Sequence, residues 1–333
     1  MKNTQVNILF TSCGRRVSLI RKFKKVMADN SITGKVLTTD IKSNAPAAFF
    51  SDKHYLVPRV ANEKYVGRIL EICKQESINL VIPLIDTELM VFASNKSLFE
   101  KEGVQILVSS SKVIEIASDK IKTNLFFIKN NIDTPKVYSM QELSTHKYKF
   151  PLLIKPRDGS SSEGVFKVNN ENELDFFGEY IPNAMVQEYI NGTEYTVDVM
   201  TDFQGNIKSI VPRQRIETRA GEVSKGITKK DQSIIDAVER VINLLPGPKG
   251  CITIQCFKQE NNAIKFIEIN PRYGGGIPLS IEAGANFPLW TIQSGQGQVF
   301  NEKDFSWKEN LTMLRFDEEV FSERIQDDNS ISI

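Results

Sequence analysis

The first third of the chain alternates short apolar runs with longer stretches of helical periodicity, and this alternation restricts the fold most. Apolar runs of strand length occur at 6–10, 34–40, 80–84 and 104–108. Helical stretches lie between them at 15–27, 63–75 and 87–101. A helix that joins two neighbouring strands returns the chain to the same end of the sheet, so the strands run parallel. Residues 1–115 are therefore predicted to form an α/β domain, a doubly wound parallel sheet with helices on both faces.

Two further units are predicted in the rest of the chain. Residues 116–190 should hold a linker helix and a small α+β lobe, with strands near 136–138, 152–155, 164–167 and 185–189. Residues 191–333 carry longer strands, a helix at 230–244 and a polar, acidic tail, and should form a larger lobe. A length of 333 residues leaves room for three such units.

Charge and hydropathy exclude several classes of function. The net charge of +1 gives no electrostatic basis for binding nucleic acid or an anionic membrane. No apolar run reaches the roughly eighteen residues of a membrane span, and the first residues do not form a signal-peptide core. We therefore expect a cytoplasmic protein without nucleic-acid or membrane partners.

The cysteines and histidines give no metal or nucleophile motif. Four cysteines are scattered through the chain without a Cys-x-x-Cys pair, and only His54 and His146 are present. A zinc site or a histidine-based triad is therefore not expected, and the cysteines should remain reduced.

The turn at residues 11–16 follows the first predicted strand but lacks the Gly-x-Gly-x-x-Gly dinucleotide fingerprint. An NAD-dependent activity is therefore not predicted. Arg15 and Arg16 could help this helix start to hold an anion, and a pair of solvated arginines is an equal alternative.

Polar residues at the end of an apolar strand indicate a metal site in the larger lobe. In the run 266–270, Glu268 and Asn270 share one strand face because alternate side chains point the same way. Gln255, in the strand candidate 251–257, is placed to add a third oxygen. Carboxylate and amide oxygens suit Mg²⁺ beside phosphates, and Arg272 follows at once to neutralise a transferring phosphoryl group.

A lysine and a glycine- and serine-rich loop indicate a phosphate-binding flap in the small lobe. Lys155 ends the apolar strand 152–155, and the following loop contains Ser160, Ser161 and Ser162 between two glycines. Small residues let backbone N–H groups approach phosphate oxygens. The loop is not a Walker motif, because no Gly-Lys-Ser/Thr opens a helix.

Two further segments complete the candidate site. An apolar strand ends near Glu188 and Ile190, and Asn191-Gly192 and another strand follow it. This arrangement suits a connection between two lobes, where a flat heterocycle can bind. Glu194 is near enough to that turn to take ribose hydroxyls. The segment 213–226 packs four cations around a glycine, which favours anion binding over a solvated loop; Arg215 and Lys225 are its first candidates.

These motifs in this order resemble the ATP-grasp superfamily, specifically the single-module proteins similar to the carbamoyl-phosphate synthase large subunit. The resemblance covers essentially residues 1–300. It implies that Lys120 and Lys155 contact ATP phosphates, that the backbone at Glu188 and Ile190 reads adenine, and that Glu194 binds ribose. It also implies one or two Mg²⁺ ions, replaceable by Mn²⁺, on Gln255, Glu268 and Asn270, with Arg272 beside the transferred phosphoryl group.

The activity implied is an ADP-forming carboxylate–amine ligase that works through an acyl phosphate. Such a reaction needs charge stabilisation more than a protein nucleophile. Carboxyphosphate or carbamoyl-phosphate-type chemistry and a non-ligase ATP-binding protein remain alternatives. Small-molecule carboxylates and amines are the expected substrates, and a homodimer is compatible with the resemblance. The motifs do not encode the identity of either substrate.

Overall fold

The computed structural model describes residues 5–157 and 164–323, which form three β-sheets and the helices packed on them. Ser160, Ser161 and Ser162 of the predicted flap lie outside the described residues. In the part of the chain that is described, no helix is long and apolar enough to cross a bilayer.

The first sheet is parallel, as the alternation predicts. Its strands are β1 (Ile8–Thr11), β2 (Val36–Asp40), β3 (Lys53–Leu56), β4 (Leu80–Pro83) and β5 (Gln105–Ile106), in the order β3-β2-β1-β4-β5. The helices are α1 (Val17–Asp29), α2 (Lys64–Gln75) and α3 (Asp86–Lys101), and a short 3₁₀ helix spans Pro46–Phe50. The edge strand β3 was not predicted, because its residues are exposed or half-buried and show no apolar run.

A pair of helices and a small antiparallel sheet follow. Helices α4 (Ser111–Ala117) and α5 (Lys120–Lys129) begin at side-chain caps supplied by Ser110 and Asp119. The sheet contains β6 (Val137–Tyr138), β7 (Leu152–Pro156), β8 (Phe166–Val168) and β9 (Ala184–Glu188), in the order β6-β9-β7-β8. Helices α6 (Met140–Ser144) and α7 (Glu171–Tyr180) complete this lobe.

The third sheet is antiparallel, and its order is β14-β13-β10-β11-β12-β15. Its strands are β10 (Thr193–Thr201), β11 (Ile207–Arg219), β12 (Glu222–Thr228), β13 (Gly250–Lys258), β14 (Ile264–Asn270) and β15 (Thr312–Leu314). Helices α8 (Gln232–Leu244), α9 (Ile277–Glu282) and α10 (Phe287–Gly295) pack around it. The predicted fold class, a parallel-sheet domain followed by two α+β lobes, is confirmed.

A continuous apolar core joins the first domain to the large lobe. It contains Phe10 and Phe23 of the first domain together with Val197, Tyr273 and Trp290 of the large lobe. The Phe23 and Tyr273 rings meet edge to face with their centroids 5.9 Å apart. This packing holds the turn after β1 beside the loop that follows β14.

Candidate active site

The predicted metal ligands share one face of the large sheet. In the register between β13 and β14, Gln255 lies opposite Glu268, and Thr253 lies opposite Asn270. Directly opposite residues point to the same face, as do residues two apart on one strand. Their neighbours Ile254 and Ile269 point the other way and are buried in the core. The sheet therefore collects three oxygen-bearing side chains at one place.

These three side chains fit a divalent cation that also has phosphate ligands. Glu268 is the single carboxylate among them, and in the described residues no three or more histidine, cysteine or acidic side chains are grouped so that they could hold a metal ion by themselves. Amide and carboxylate oxygens are hard ligands, and Mg²⁺ is usually held by one or two carboxylates plus substrate phosphates. The donor set is thus suited to a metal that arrives with a nucleotide.

Lys155 faces this metal strand from the small lobe. It lies on β7, and its side chain is buried. Burial lowers the pKa of Lys155 to about 8; Glu268 raises that pKa and Lys120 lowers it. In the described part of the chain, the Lys155 ammonium forms no ion pair. A buried ammonium between a carboxylate and a second lysine is a ready partner for phosphate oxygens.

ATP affinity should depend on pH through Lys155. The lysine is protonated below its pKa of about 8 and loses its charge above it. We therefore expect the Kd for ATP to rise about tenfold per pH unit once pH exceeds 8, because binding then requires uptake of one proton. Calorimetric titrations from pH 7 to 10 measure this. Lys155→Arg, which stays charged, should give a flat profile, and an unchanged slope in that variant would remove Lys155 from the nucleotide site.

The candidate ribose carboxylate is paired with the candidate catalytic arginine. Arg215 Nη1 lies 2.6 Å from Glu194 Oε1, and Arg215 Nη2 donates to the Gly221 carbonyl at 2.7 Å. Burial raises the pKa of Glu194; Arg215 lowers it and Glu268 raises it. The pairing places Arg215 beside the carboxylate that is predicted to bind ribose.

Strand β9 ends at the predicted adenine-binding connection. The Glu188 backbone N–H donates to the Lys136 carbonyl at 2.8 Å, so this amide is already used. The Glu188 carboxylate accepts hydrogen bonds of 2.6 and 2.8 Å from Lys265 Nζ, and Ile190 is buried two residues later. The β9–β14 ion pair ties the two lobes together at this point.

Arg272 joins the metal strand to the first domain. Its Nη2 lies 3.2 Å from Asn270 Oδ1 and 2.8 Å from Asp86 Oδ2, and its Nε lies 3.2 Å from the same Asp86 oxygen. Asp86 stands in the first turn of α3. The arginine is thus held at the end of β14, beside the candidate metal ligand Asn270.

Comparison with known families agrees with this geometry. Residues 117–276 match the ATP-grasp domain, and residues 8–107 match the PylC-like N-terminal domain. The chain contains an ATP-grasp domain that follows a PylC-like N-terminal domain. The resemblance inferred from the motifs is confirmed, and the matched range includes Lys120, Lys155, Glu268 and Arg272.

Two curated relatives match parts of this ATP-grasp protein. Carbamoyl phosphate synthase large chain of Thermoanaerobacter sp. (strain X514) is 26% identical over 247 residues, covering 66% of this chain and 21% of that protein. D-alanine–D-alanine ligase of Petrotoga mobilis is 29% identical over 141 residues, covering 40% of this chain and 47% of that protein. The matched region therefore covers less than half the length of either relative.

A solved structure shows the same fold. It is the biotin carboxylase domain dimer of the 2-oxoglutarate carboxylase from Hydrogenobacter thermophilus, in complex with MgADP, ADP and bicarbonate. It matches 92% of this chain and 73% of that chain with a TM-score of 0.71 at 17% identity. Sequence identity at this level supports the fold alone.

Lys120 begins helix α5 of the ATP-grasp protein, directly after the cap Asp119. Arg157 Nη2 lies 2.5 Å from Asp119 Oδ2, and Arg157 lowers the pKa of Asp119. The helix start is thereby tied to the residue that follows β7, where the predicted flap begins. Lys120 and Lys155 are thus held close enough to affect each other electrostatically.

The other cations of the segment 213–226 have different surroundings. Arg213 is 1% exposed and pairs with the fully buried Asp198. The Lys225 ammonium lies 2.7 Å from Glu217, and both side chains are about half exposed. Arg219 pairs with Asp317 at the surface.

The catalytic role of Lys225 remains a prediction, and the described contacts give it a surface ion pair. Sequence spacing had not distinguished these four residues, and it gave no sign of Asp86.

Removal of Arg215 should disturb the nucleotide site. Arg215→Ala leaves Glu194 half-buried without its ion pair, so we expect ATP binding to weaken by about tenfold, in addition to any loss of rate. A fluorescent ATP analogue can measure the affinity. Lys225→Ala removes a cation of the same segment from a surface pair and is the matched control, expected to bind ATP normally. Equal affinity losses in both variants would argue against the Glu194–Arg215 pair as the cause.

Proposed function

We propose that this ATP-grasp protein is an ATP-dependent, ADP-forming ligase that activates a carboxylate as an acyl phosphate and joins it to an amine. The observation that carries the proposal is the convergence of Lys155 from the small lobe with Glu268, Asn270 and Arg272 from the large lobe. The proposal is supported by the relatives, one of which is named for ligation of D-alanine to D-alanine.

The reaction proceeds in two steps. A carboxylate oxygen attacks the γ-phosphorus of ATP, so a new oxygen–phosphorus bond forms and the bond to the β-phosphate oxygen breaks, releasing ADP. The amine nitrogen then attacks the acyl carbon, inorganic phosphate leaves, and the nitrogen loses a proton. Neither step requires a covalent bond to the protein.

The chain's own residues stabilise charge and orient the reactants. Lys120 and Lys155 neutralise the phosphates. Arg272, which is held by Asp86 and Asn270, neutralises charge on the phosphoryl group during its transfer. Gln255, Glu268 and Asn270 would hold one or two Mg²⁺ ions, replaceable by Mn²⁺, which supply charge neutralisation at the phosphate oxygens when bound.

The remaining predicted contacts belong to nucleotide binding. The backbone at Glu188 and Ile190 contacts adenine, Glu194 binds ribose, and Ser160, Ser161 and Ser162 bind the phosphates. The three units 1–115, 116–190 and 191–333 act as the N-terminal domain, the small lobe and the large lobe. A homodimer is proposed by analogy with the domain dimer named above and can be tested by light scattering.

ADP release measured against pooled carboxylic acids, with and without pooled amino acids as amines, tests the proposed reaction. Turnover that needs a carboxylic acid together with the amino acids, or that the amino acids support alone because they carry both groups, supports a carboxylate–amine ligase. Turnover with bicarbonate alone would instead indicate carboxyphosphate chemistry. ATP binding without ADP release under every condition would leave a nucleotide-binding protein and overturn the proposal.

A further inference from the structure

The turn after β1 holds an arginine at the reacting end of the site. Ser12 Oγ donates to Glu88 at 2.7 Å, the Cys13 N–H donates to the Thr39 carbonyl at 3.0 Å, and the Gly14 N–H donates to Asp40 at 2.9 Å. These bonds fix the turn before Arg16, the residue that immediately precedes α1. The position of the Arg16 backbone is thus set by the first domain alone.

The Arg16 guanidinium lies over the loop that follows the metal strand. A Cβ placed on Gly275 would come within 3.2 Å of Arg16 Nη1 and within 3.2 Å of Glu222 Oε1. Gly275 is five residues beyond Asn270 and three beyond Arg272. A residue of the N-terminal domain therefore reaches the γ-phosphate end of the proposed site and not the adenine end.

Arg16 and the two cations around it outnumber the two neighbouring carboxylates. Burial lowers the pKa of Arg16 to about 10, with Arg272 and Arg315 lowering it further and Glu222 and Asp86 raising it. Both carboxylates already have partners: Asp86 lies 2.8 Å from Arg272, and Glu222 lies 2.9 Å from Arg315. Three guanidinium groups thus share two carboxylates.

Arg16 is the member of this group that lacks an ion pair. Within residues 5–157 and 164–323, its guanidinium forms no salt bridge, although the residue is half-buried. A cation held out of water without a counter-ion is costly unless a ligand supplies one. A planar guanidinium with paired N–H donors matches the geometry of a carboxylate.

We propose that Arg16 binds a carboxylate group of the ligase substrate, with Arg272 and Arg315 adding positive potential around it. This inference rests on the proposed function and assigns a residue of the N-terminal domain to substrate recognition. The site takes small carboxylic acids. Arg16 is a binding residue here, and Arg272 keeps its place beside the phosphoryl group.

Thermal unfolding of the full chain tests the Arg16 assignment, with sodium acetate and sodium malonate as probes. All samples contain ADP and Mg²⁺, and a reference sample contains KCl at the same ionic strength. At least one probe should raise the Tm of the unaltered protein above the KCl reference. In Arg16→Ala, the half-saturating probe concentration should rise at least about tenfold, the loss expected for one charge-assisted contact. Arg219→Ala, which alters an exposed arginine, should titrate like the unaltered protein.

Arg16→Lys covers the case in which the alanine variant does not fold, since it keeps the charge and most of the stem. It should bind the probe more weakly than arginine because one ammonium cannot form two parallel contacts. No stabilisation of the unaltered protein by either probe, or equal titrations for all variants, would overturn the Arg16 assignment. ADP binding is measured in the same samples. A loss of nucleotide binding can therefore be distinguished from a loss of carboxylate binding.

Discussion

Glu268→Gln should abolish ATP turnover while leaving the fold intact. Glu268 is the single carboxylate in the oxygen set with Gln255 and Asn270, so the amide removes the whole negative charge from the candidate metal site. The loss of one preorganised charged group at a reacting centre typically costs 10²- to 10³-fold in rate, and a metal ligand costs at least that. ADP release at saturating ATP and Mg²⁺ measures the effect.

The same variant should also change Lys155. Glu268 raises the pKa of Lys155, so its removal should lower that pKa below about 8 and weaken ATP binding at neutral pH. Glu217→Gln is the matched control, because it removes a carboxylate from the exposed pair with Lys225. Turnover near that of the control would show that Glu268 is not a metal ligand.

Sequence reasoning placed Glu268 and Asn270 on one face of a strand because the signal for that is local. Strand alternation alone places Glu268 and Asn270 on one face, and the spacing to the apolar run around Gln255 predicts a hairpin partner. The observed register pairs Gln255 with Glu268 directly. Lys155 was likewise found at a strand end, where side-chain direction follows from a few residues.

Contacts between domains could not be predicted from local sequence patterns. Asp86 binds Arg272 although 186 positions separate them, and no local pattern reports such an approach. In the cationic segment, two irregularities in the β11–β12 pairing, between Arg215 and Glu217 and between Glu217 and Thr218, change the direction of the side chains. Alternation therefore could not tell the buried Arg213 from the exposed Arg219.

The buried ion pair between Arg213 and Asp198 supports the loop that follows β14. Arg213 Nε and Nη2 lie 2.6 and 3.0 Å from the two Asp198 oxygens, and Ser280 Oγ donates to Asp198 at 2.6 Å. A Cβ on Gly276 would come within 2.3 Å of Arg213 Nη1, so the glycine lets the loop pass over the guanidinium. The pair thus supports the loop that carries Arg272.

Asp198→Ala should therefore destabilise the protein strongly. The substitution leaves Arg213 buried without its counter-ion, and breaking a buried pair by removing one partner costs about 3–5 kcal/mol. Urea unfolding monitored by circular dichroism measures the loss of unfolding free energy. Glu217→Ala breaks the exposed pair with Lys225 and is the control, expected to change the unfolding free energy little because solvent screens that pair.

A double variant separates the charge effect from lost packing. In Asp198→Leu combined with Arg213→Met, both buried charges are replaced by apolar side chains, so no unpaired charge remains. We expect this double variant to recover much of the stability lost in Asp198→Ala, because replacing a buried ion pair by apolar groups of similar volume is often close to neutral. An Asp198→Ala cost no larger than that of Glu217→Ala would contradict the structural role assigned to the pair.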